Sequence, residues 1–274
     1  MNQGSDRPER SLDVAMGPVS ARHLGIWSVV GCGAVLAIWA AVASRQPTVI
    51  VASPGETIDR LGELGAATVA EELWRTGWRA LRGTAVGFVV GVALGVTTGR
   101  SAVADALLRP TRAVLAGSPP IIAVVLVAIW VGLDGDPTPW VVGLAVVPLV
   151  WIATHEAVRS VDPELLEMAA GLHVGRRWTL RHVTLPAIAP ALRSSGAYAT
   201  ATAYRITIMA ELFVSPDGIG ARIARARTSL DTAEVFAWAL VAIIAALAFE
   251  ALSLRVGRPS TPRLGVSIRS PSIG

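Results

Sequence analysis

The sequence predicts an all-α membrane protein of about six transmembrane helices, and three observations predict it. Hydrophobic residues fill 53% of the 274 positions and charged residues only 16%, well short of the quarter that a soluble domain carries. Mean hydropathy is positive, at +0.55. The apolar residues are also gathered into long runs. Leu24–Ala43 and Ala113–Leu133 each hold about 20 uncharged residues, enough to cross roughly 30 Å of hydrocarbon as a helix. Such runs lack the alternation of barrel strands, and in lipid a helix satisfies its own backbone within one segment.

Six spans are expected, over 24–44, 79–99, 113–133, 138–154, 187–212 and 234–254. Residues 1–23 and 255–274 are then polar tails. Ala41-Val42-Ala43 has the small residues of a cleavage site. The run before it exceeds the 7–15 residues of a secretory core, however, so a retained span is expected. All 24 basic residues are arginine, with no lysine, and their placement sets the orientation. With the N-terminus inside, Arg7, Arg10, Arg22, Arg100, Arg109, Arg112, Arg159, Arg176, Arg177, Arg181 and Arg193 all fall inside, as do Arg255, Arg258, Arg263 and Arg269 of the tail. The outer turn Leu133-Asp134-Gly135-Asp136 has acid and no base. Arg222, Arg225 and Arg227 fall outside and run against the pattern. An N-in, C-in topology is predicted.

Within span two, Gly83, Gly87, Gly91, Gly95 and Gly99 recur every fourth residue. That spacing lays them along one stripe, where a second backbone can approach closely. The stripe is a helix-packing face, and its partner, within the chain or in another subunit, is left open. Trp74, Trp78 and Trp140 lie near outer ends and suit an interfacial belt. Span five carries Arg205 and Glu211. Each must face a bundle interior, an opposite charge or water, since charge in hydrocarbon is costly. They sit about 240° apart around a helix and do not form a simple pair. Arg205 either bonds a neighbouring helix or lines a pathway as positive potential for an anion.

Other chemistry is excluded. A phosphate-cradling P-loop requires lysine, so any ATP that drives this chain is bound by another polypeptide. His155-Glu156 opens like a zinc-protease motif, but its second histidine position holds Arg159. His23, His173 and His182 have no ligand spacing between them, so neither a metal site nor a catalytic residue is expected. The single Cys32 excludes an intrachain disulfide.

Between spans four and five, residues 155–186 are too polar for lipid and too long for a turn. Asp162-Pro163-Glu164 reads as a helix start, with an N-cap acceptor, proline at the first helical position and acid near the positive dipole end. Leu165, Ala169 and Leu172 then share a face, Gly175 breaks the pattern, and Arg176–His182 forms a second short helix. This apolar face suits either a protein partner or the inner leaflet.

Glu167-Met168-Ala169 followed by Val183-Thr184-Leu185-Pro186 resembles the EAA loop of binding-protein-dependent ABC importer permeases. The stretch from Arg159 to Glu167 is similar to the nitrate/sulfonate/taurine branch, as are Pro120, Trp130-Val131-Gly132, Arg205, Glu211 and Gly218-Ile219-Gly220. The likeness runs from about Ser53 to Leu254. Met168 replaces the second EAA residue, Val125 stands where a branch proline is common, and His173 occupies the loop glycine position between Gly171 and Gly175. The resemblance implies a multi-pass cell-membrane permease over 24–254, paired with an identical or related permease. It implies a pathway for a small anionic solute such as a sulfonate, taurine or nitrate, delivered by an extracytoplasmic solute-binding protein. Separate ATPase subunits, binding ATP and Mg, would grip the loop through Glu167, Leu165, Ala169 and Leu172, with Gly171, His173 and Gly175 shaping it. A secondary transporter, a channel and a membrane scaffold are the alternatives. Transporters of that kind carry internal repeats and midplane ionisable clusters, and no convincing repeat is visible here.

Overall fold

Capping and proline chemistry divide the described residues, 21–132 and 136–257, into eleven helices in this computed structural model. In order they are α1 (Ala21–Ala43), α2 (Pro54–Glu63), α3 (Ala66–Arg100), α4 (Ala102–Gly117), α5 (Pro120–Val131), α6 (Thr138–Arg159), α7 (Pro163–Gly171), α8 (Arg176–Thr179), α9 (Leu185–Val214), α10 (Ile219–Thr228) and α11 (Thr232–Gly257). A π-helical segment, Leu180–Thr184, joins α8 to α9. The N-terminal tail, most of the outer turn and the arginines beyond Arg255 fall outside the described residues.

Local chemistry explains the boundaries. Ser53 and Glu56 close a capping box at α2, with Glu56 N donating to Ser53 Oγ at 3.2 Å and Ser53 N to Glu56 Oε2 at 2.8 Å. At α7, Asp162 accepts from Glu164 N at 2.9 Å and Pro163 occupies the first helical position, as the sequence predicts. The expected straight third span over 113–133 is not formed. The chain breaks at Ser118-Pro119, and α4 and α5 meet at 103°. Pro119 and Pro120 lack amide donors, and each disfavours the helical conformation in the residue before it. Ser118 and Pro119 are accordingly extended, with ψ of 129° and 136°. The second span is also longer than predicted, since α3 begins at Ala66.

Glycine sets the centre of the fold. A Cβ on Gly87 would lie 2.6 Å from Gly143 O and 2.7 Å from Val146 Cβ, and one on Gly91 would lie 2.8 Å from Val150 Cβ. Gly83, Gly95 and Gly99 meet Val142, Thr154 and Val158 in the same way. The stripe therefore packs inside the chain, against α6, with the backbones in direct contact. Because Gly83 faces Val142 and Gly99 faces Val158, α3 and α6 run parallel. The bent α4–α5 segment must then return the chain from one end of this pair to the other. Asp105, on α4, does approach His155 at the C-terminal end of α6, while Asp136, after α5, pairs with Arg79 at the opposite end. Helix α9 runs back beside the pair. Its Ile188 packs with Val158 and Val161 near the first end, and its Ala199 and Ala203 pack with Val142, Val146 and Val150.

Among the described residues, three helices, α3, α6 and α11, are long and apolar enough to cross a bilayer, and the bent α4–α5 pair counts as a fourth if it is one span.

Candidate functional site

Charge is concentrated on the α3 stripe just before its glycines. Glu72, Thr76 and Arg79 are buried there in phase with Gly83. Arg79 reaches three acidic residues. Its Nη1 donates to Glu211 Oε1 at 3.1 Å and to Asp217 O at 2.9 Å, its Nε donates to Asp136 Oδ1 at 3.0 Å, and its Nη2 donates to the Asp217 carboxylate. Arg75 also bonds Asp217, and Arg82 Nη2 donates to Asp136 Oδ2 at 2.9 Å. Glu72 accepts from Gly218 N and Arg222 Nε, both at 2.7 Å. Arg75, Arg79, Arg82 and Arg222 thus balance Glu72, Asp136, Glu211 and Asp217.

The Glu211 side chain is fully enclosed. Beyond Arg79 it accepts from Thr76 Oγ1 at 2.9 Å and Gly220 N at 3.1 Å, as a buried carboxylate requires. Gly218-Ile219-Gly220 forms its cradle. Gly218 has φ +100°, and a Cβ there would overlap the Glu211 carboxylate, while one on Gly220 would sit 2.7 Å from Glu211 Cβ. Only glycine combines that backbone with that clearance. Partial burial pushes the Asp217 carboxyl up, but the Arg79 and Arg75 guanidiniums outweigh this and hold it below the usual carboxylate range. Its folded value is depressed, so its stabilisation is complete above the ordinary carboxylate value and is lost as pH falls through the depressed one.

Arg205 is placed differently. It bonds Glu250 of α11 on an exposed face, with side chains 53% and 36% exposed. Arg205 and Glu211 are therefore unpaired with one another, as their spacing predicts, and each has found an opposite charge. Sequence reasoning missed Glu72, Arg79, Asp217 and Arg222. The usable signal was their continuation of, or proximity to, the glycine stripe and the Gly218-Ile219-Gly220 turn.

The loop stands at the other end of the bundle. Glu167 is exposed and enters no ion pair among the described residues. Leu165, Met168 and Leu172 are exposed as well, but Ala169 is only 3% exposed. Ala169 therefore belongs to the chain's own packing, and the free apolar surface of α7 is that of its larger neighbours. His173 has φ +54°. Its N–H donates to Ala170 O at 3.0 Å and Val174 N–H to Ala169 O at 3.3 Å, the paired bonds of a Schellman C-cap. The position needs the left-handed conformation that glycine adopts freely, and histidine takes it here. Gly171 and Gly175 do not supply it. Gly171 is helical, and Gly175 has φ −65°. His173→Gly is expected to stabilise the cap by about 1 kcal/mol, read as roughly fivefold slower amide exchange at His173 and Val174. Faster exchange in that variant would contradict the strain.

Residues 87–265 match the family of binding-protein-dependent transport system inner membrane components. The chain belongs to this family. It is 28% identical over 218 residues to the putative aliphatic sulfonates transport permease SsuC of Bacillus subtilis (strain 168), covering 80% of this chain and 76% of that one. To SsuC of Escherichia coli (strain K12) it is 29% identical over 204 residues, 72% of this chain and 76% of that one. The taurine transport system permease TauC of Escherichia coli (strain K12) is 23% identical over 223 residues, 78% and 80% of the two chains. The fold is similar to that in the crystal structure of a bacterial ABC transporter involved in the import of the acidic polysaccharide alginate. The TM-score is 0.59 at 14% identity, over 88% of this chain and 97% of that one. The chain is thus the permease component of an ABC importer, a translocation component of the membrane rather than an enzyme, with ATPase and binding-protein partners implied. The secondary-transporter, channel and scaffold readings are set aside.

Proposed function

We propose that this permease, paired with a second identical or related copy, forms the pathway for a small anionic solute of the sulfonate or taurine type. The observation that carries this reading is the Arg205–Glu250 pair on the exposed faces of α9 and α11, in a chain similar to sulfonate and taurine permeases. A charged pair at hydrocarbon depth calls for water or protein around it, not acyl chains. An aqueous pathway between two copies supplies that, and leaves Arg205 available to an anion. The N-in, C-in arrangement of six spans adds α1, at 23 residues, and α9, at 30, to the more apolar crossings. The extracytoplasmic binding protein delivers the solute at the Arg79 end, and the ATPase pair, holding ATP and Mg, engages the loop between α6 and α9. Closure of that pair tilts the helices between inward- and outward-facing states.

The test is uptake of labelled taurine or an alkanesulfonate by the complete transporter in proteoliposomes. Arg205→Gln is expected to lower uptake about tenfold, roughly 1.4 kcal/mol in the barrier, with assembly intact. Unchanged uptake in an assembled complex would assign Arg205 a structural role only. Docking is probed at Leu172, which is 68% exposed, rather than at Ala169. A carboxylate desolvated without a partner costs more than the roughly 1–3 kcal/mol of a neutral polar group, so Leu172→Asp permease should capture its ATPase at least several-fold more weakly. Capture at wild-type strength rules out docking through this face.

A further inference from the structure

Helix α5 covers only part of the groove between α6 and α9. Its Val124 and Val127 pack with Val141 of α6 and with Ala210 and Val214 of α9, toward the Arg79 end. At Ser118-Pro119 the chain turns through 103°, so α4 does not continue along the groove. Toward the α7 end a cleft of about 560 Å³ therefore opens between the C-terminal half of α6 and the N-terminal half of α9. Depth decides what that cleft meets. The 12 residues of α5 cover about 18 Å of roughly 30 Å of hydrocarbon, so the break lies inside the membrane. Gly117, Ser118, Pro119 and Pro120 are exposed. Non-helical backbone at such a depth is stable only against protein or a water-filled cavity. The cleft beside it thus faces water and a second copy rather than acyl chains. Ser194, Tyr198 and Arg205 follow at spacings of four and seven along one exposed face of α9. The cleft accordingly continues the pathway proposed above, about 10 Å beyond Arg205 toward α7.

Acceptors dominate its lining. Ser160, Ser194 and Ser195 each donate their one hydroxyl hydrogen to a carbonyl three residues back, Ala157 O at 2.9 Å, Ala191 O at 3.0 Å and Leu192 O at 3.2 Å. What remains to these oxygens is lone pairs. Glu156 adds a carboxylate that is exposed and enters no ion pair among the described residues. Arg159 is one turn away but lines the α4 side of α6, with Arg109 and Arg112. Among the described residues no arginine lines the cleft itself. Tyr198, 61% exposed, adds a hydroxyl that bonds nothing among those residues. Such a lining repels a sulfonate and suits a group that has only donors and a positive charge, an ammonium. We propose that the cleft binds the ammonium group of an aminoalkanesulfonate in transit, with Glu156 as its counter-ion and Ser194 and Tyr198 as further acceptors. The inference rests on the sulfonate reading above for the other end of the solute alone, and it selects the taurine type over plain alkanesulfonates. Arg205 and Glu156 then meet the two ends of a zwitterion in turn.

The experiment uses the complete transporter in proteoliposomes, with Cys32→Ala as background and Ala153→Cys, in the cleft wall, as the probe. A charged, membrane-impermeant methanethiosulfonate is applied to both faces, alone or with taurine, ethanesulfonate or ethylammonium. Ala153→Cys is expected to react about tenfold faster than Val89→Cys, which is exposed on the side of α3 opposite its glycine stripe and so meets lipid. Taurine and ethylammonium should slow the reaction, and ethanesulfonate should not. Glu156→Gln should raise the taurine concentration needed about tenfold, as expected for one hydrogen bond to a charged group. Ser194→Ala should raise it about threefold, which keeps the test open if Glu156→Gln disturbs assembly. Reaction of Ala153→Cys no faster than that of Val89→Cys overturns the proposal. Equal protection by taurine and ethanesulfonate also overturns it, as does protection that neither variant weakens, and in both cases the sulfonate reading still stands. Protection by ethylammonium but not by taurine supports the ammonium site and counts against the sulfonate reading instead.

Discussion

Arg79→Gln is expected to destabilise the permease by about 3–5 kcal/mol, the cost of leaving a buried charge without its partner. Glu211 would retain only Thr76 Oγ1 and Gly220 N as donors, in a site with no exposure. Asp217 and Asp136 would lose a guanidinium bond as well. Arg79→Lys should recover only part of the loss, because an ammonium cannot direct donors from one plane toward three carboxylates. Pairing Arg79→Gln with Glu211→Gln removes the uncompensated charge and should recover more. Melting of the purified permease in detergent decides the matter. A loss below about 1 kcal/mol for Arg79→Gln would mean that the ion pairs contribute as little as exposed ones do.

That network shows what the sequence could and could not convey. Helix α3 presents Glu72, Thr76, Arg79 and Gly83 at spacings of four, three and four, so the buried face was visible in the chain. Beginning the span at residue 79 detached its polar third, because hydropathy measures lipid contact and this third contacts protein. Its partners were not visible. Asp136 and Asp217 arrive from segments 57 and 138 residues away, and no local periodicity encodes such pairings. Arg205 makes the same point: helical spacing excludes Glu211 as its partner, but only the packing of α9 on α11 supplies Glu250. The break in the third span was visible in Pro119-Pro120, and a run of the right length and polarity concealed it. His173 was recognisable as the residue at a glycine position. Its φ of +54° supplies the physical reason that position favours glycine.

Gly91→Val is expected to cost about 3 kcal/mol, toward the upper end for overpacking a tight interface. A Cβ at Gly91 would already stand 2.8 Å from Val150 Cβ and 3.0 Å from Val147 O. The second contact is backbone, which cannot rotate aside. Valine adds two methyls to the same gap, and the parallel α3 and α6 must part to admit them. Gly87, which faces Gly143 O at 2.6 Å, should respond in the same direction, whereas Gly77, with nothing near its Cβ position, should accept alanine at little cost. Melting of Gly91→Ala, Val150→Ala and the double variant provides the sharper measurement. Removing the facing Val150 methyls should return part of the Gly91→Ala loss, giving a coupling within the 0.5–3 kcal/mol seen between touching residues. Additive losses would mean that the two side chains do not meet. A Gly91→Val permease that keeps its own stability but no longer pairs with a second permease would show that the stripe belongs to the subunit interface, and would overturn the internal packing of α3 on α6.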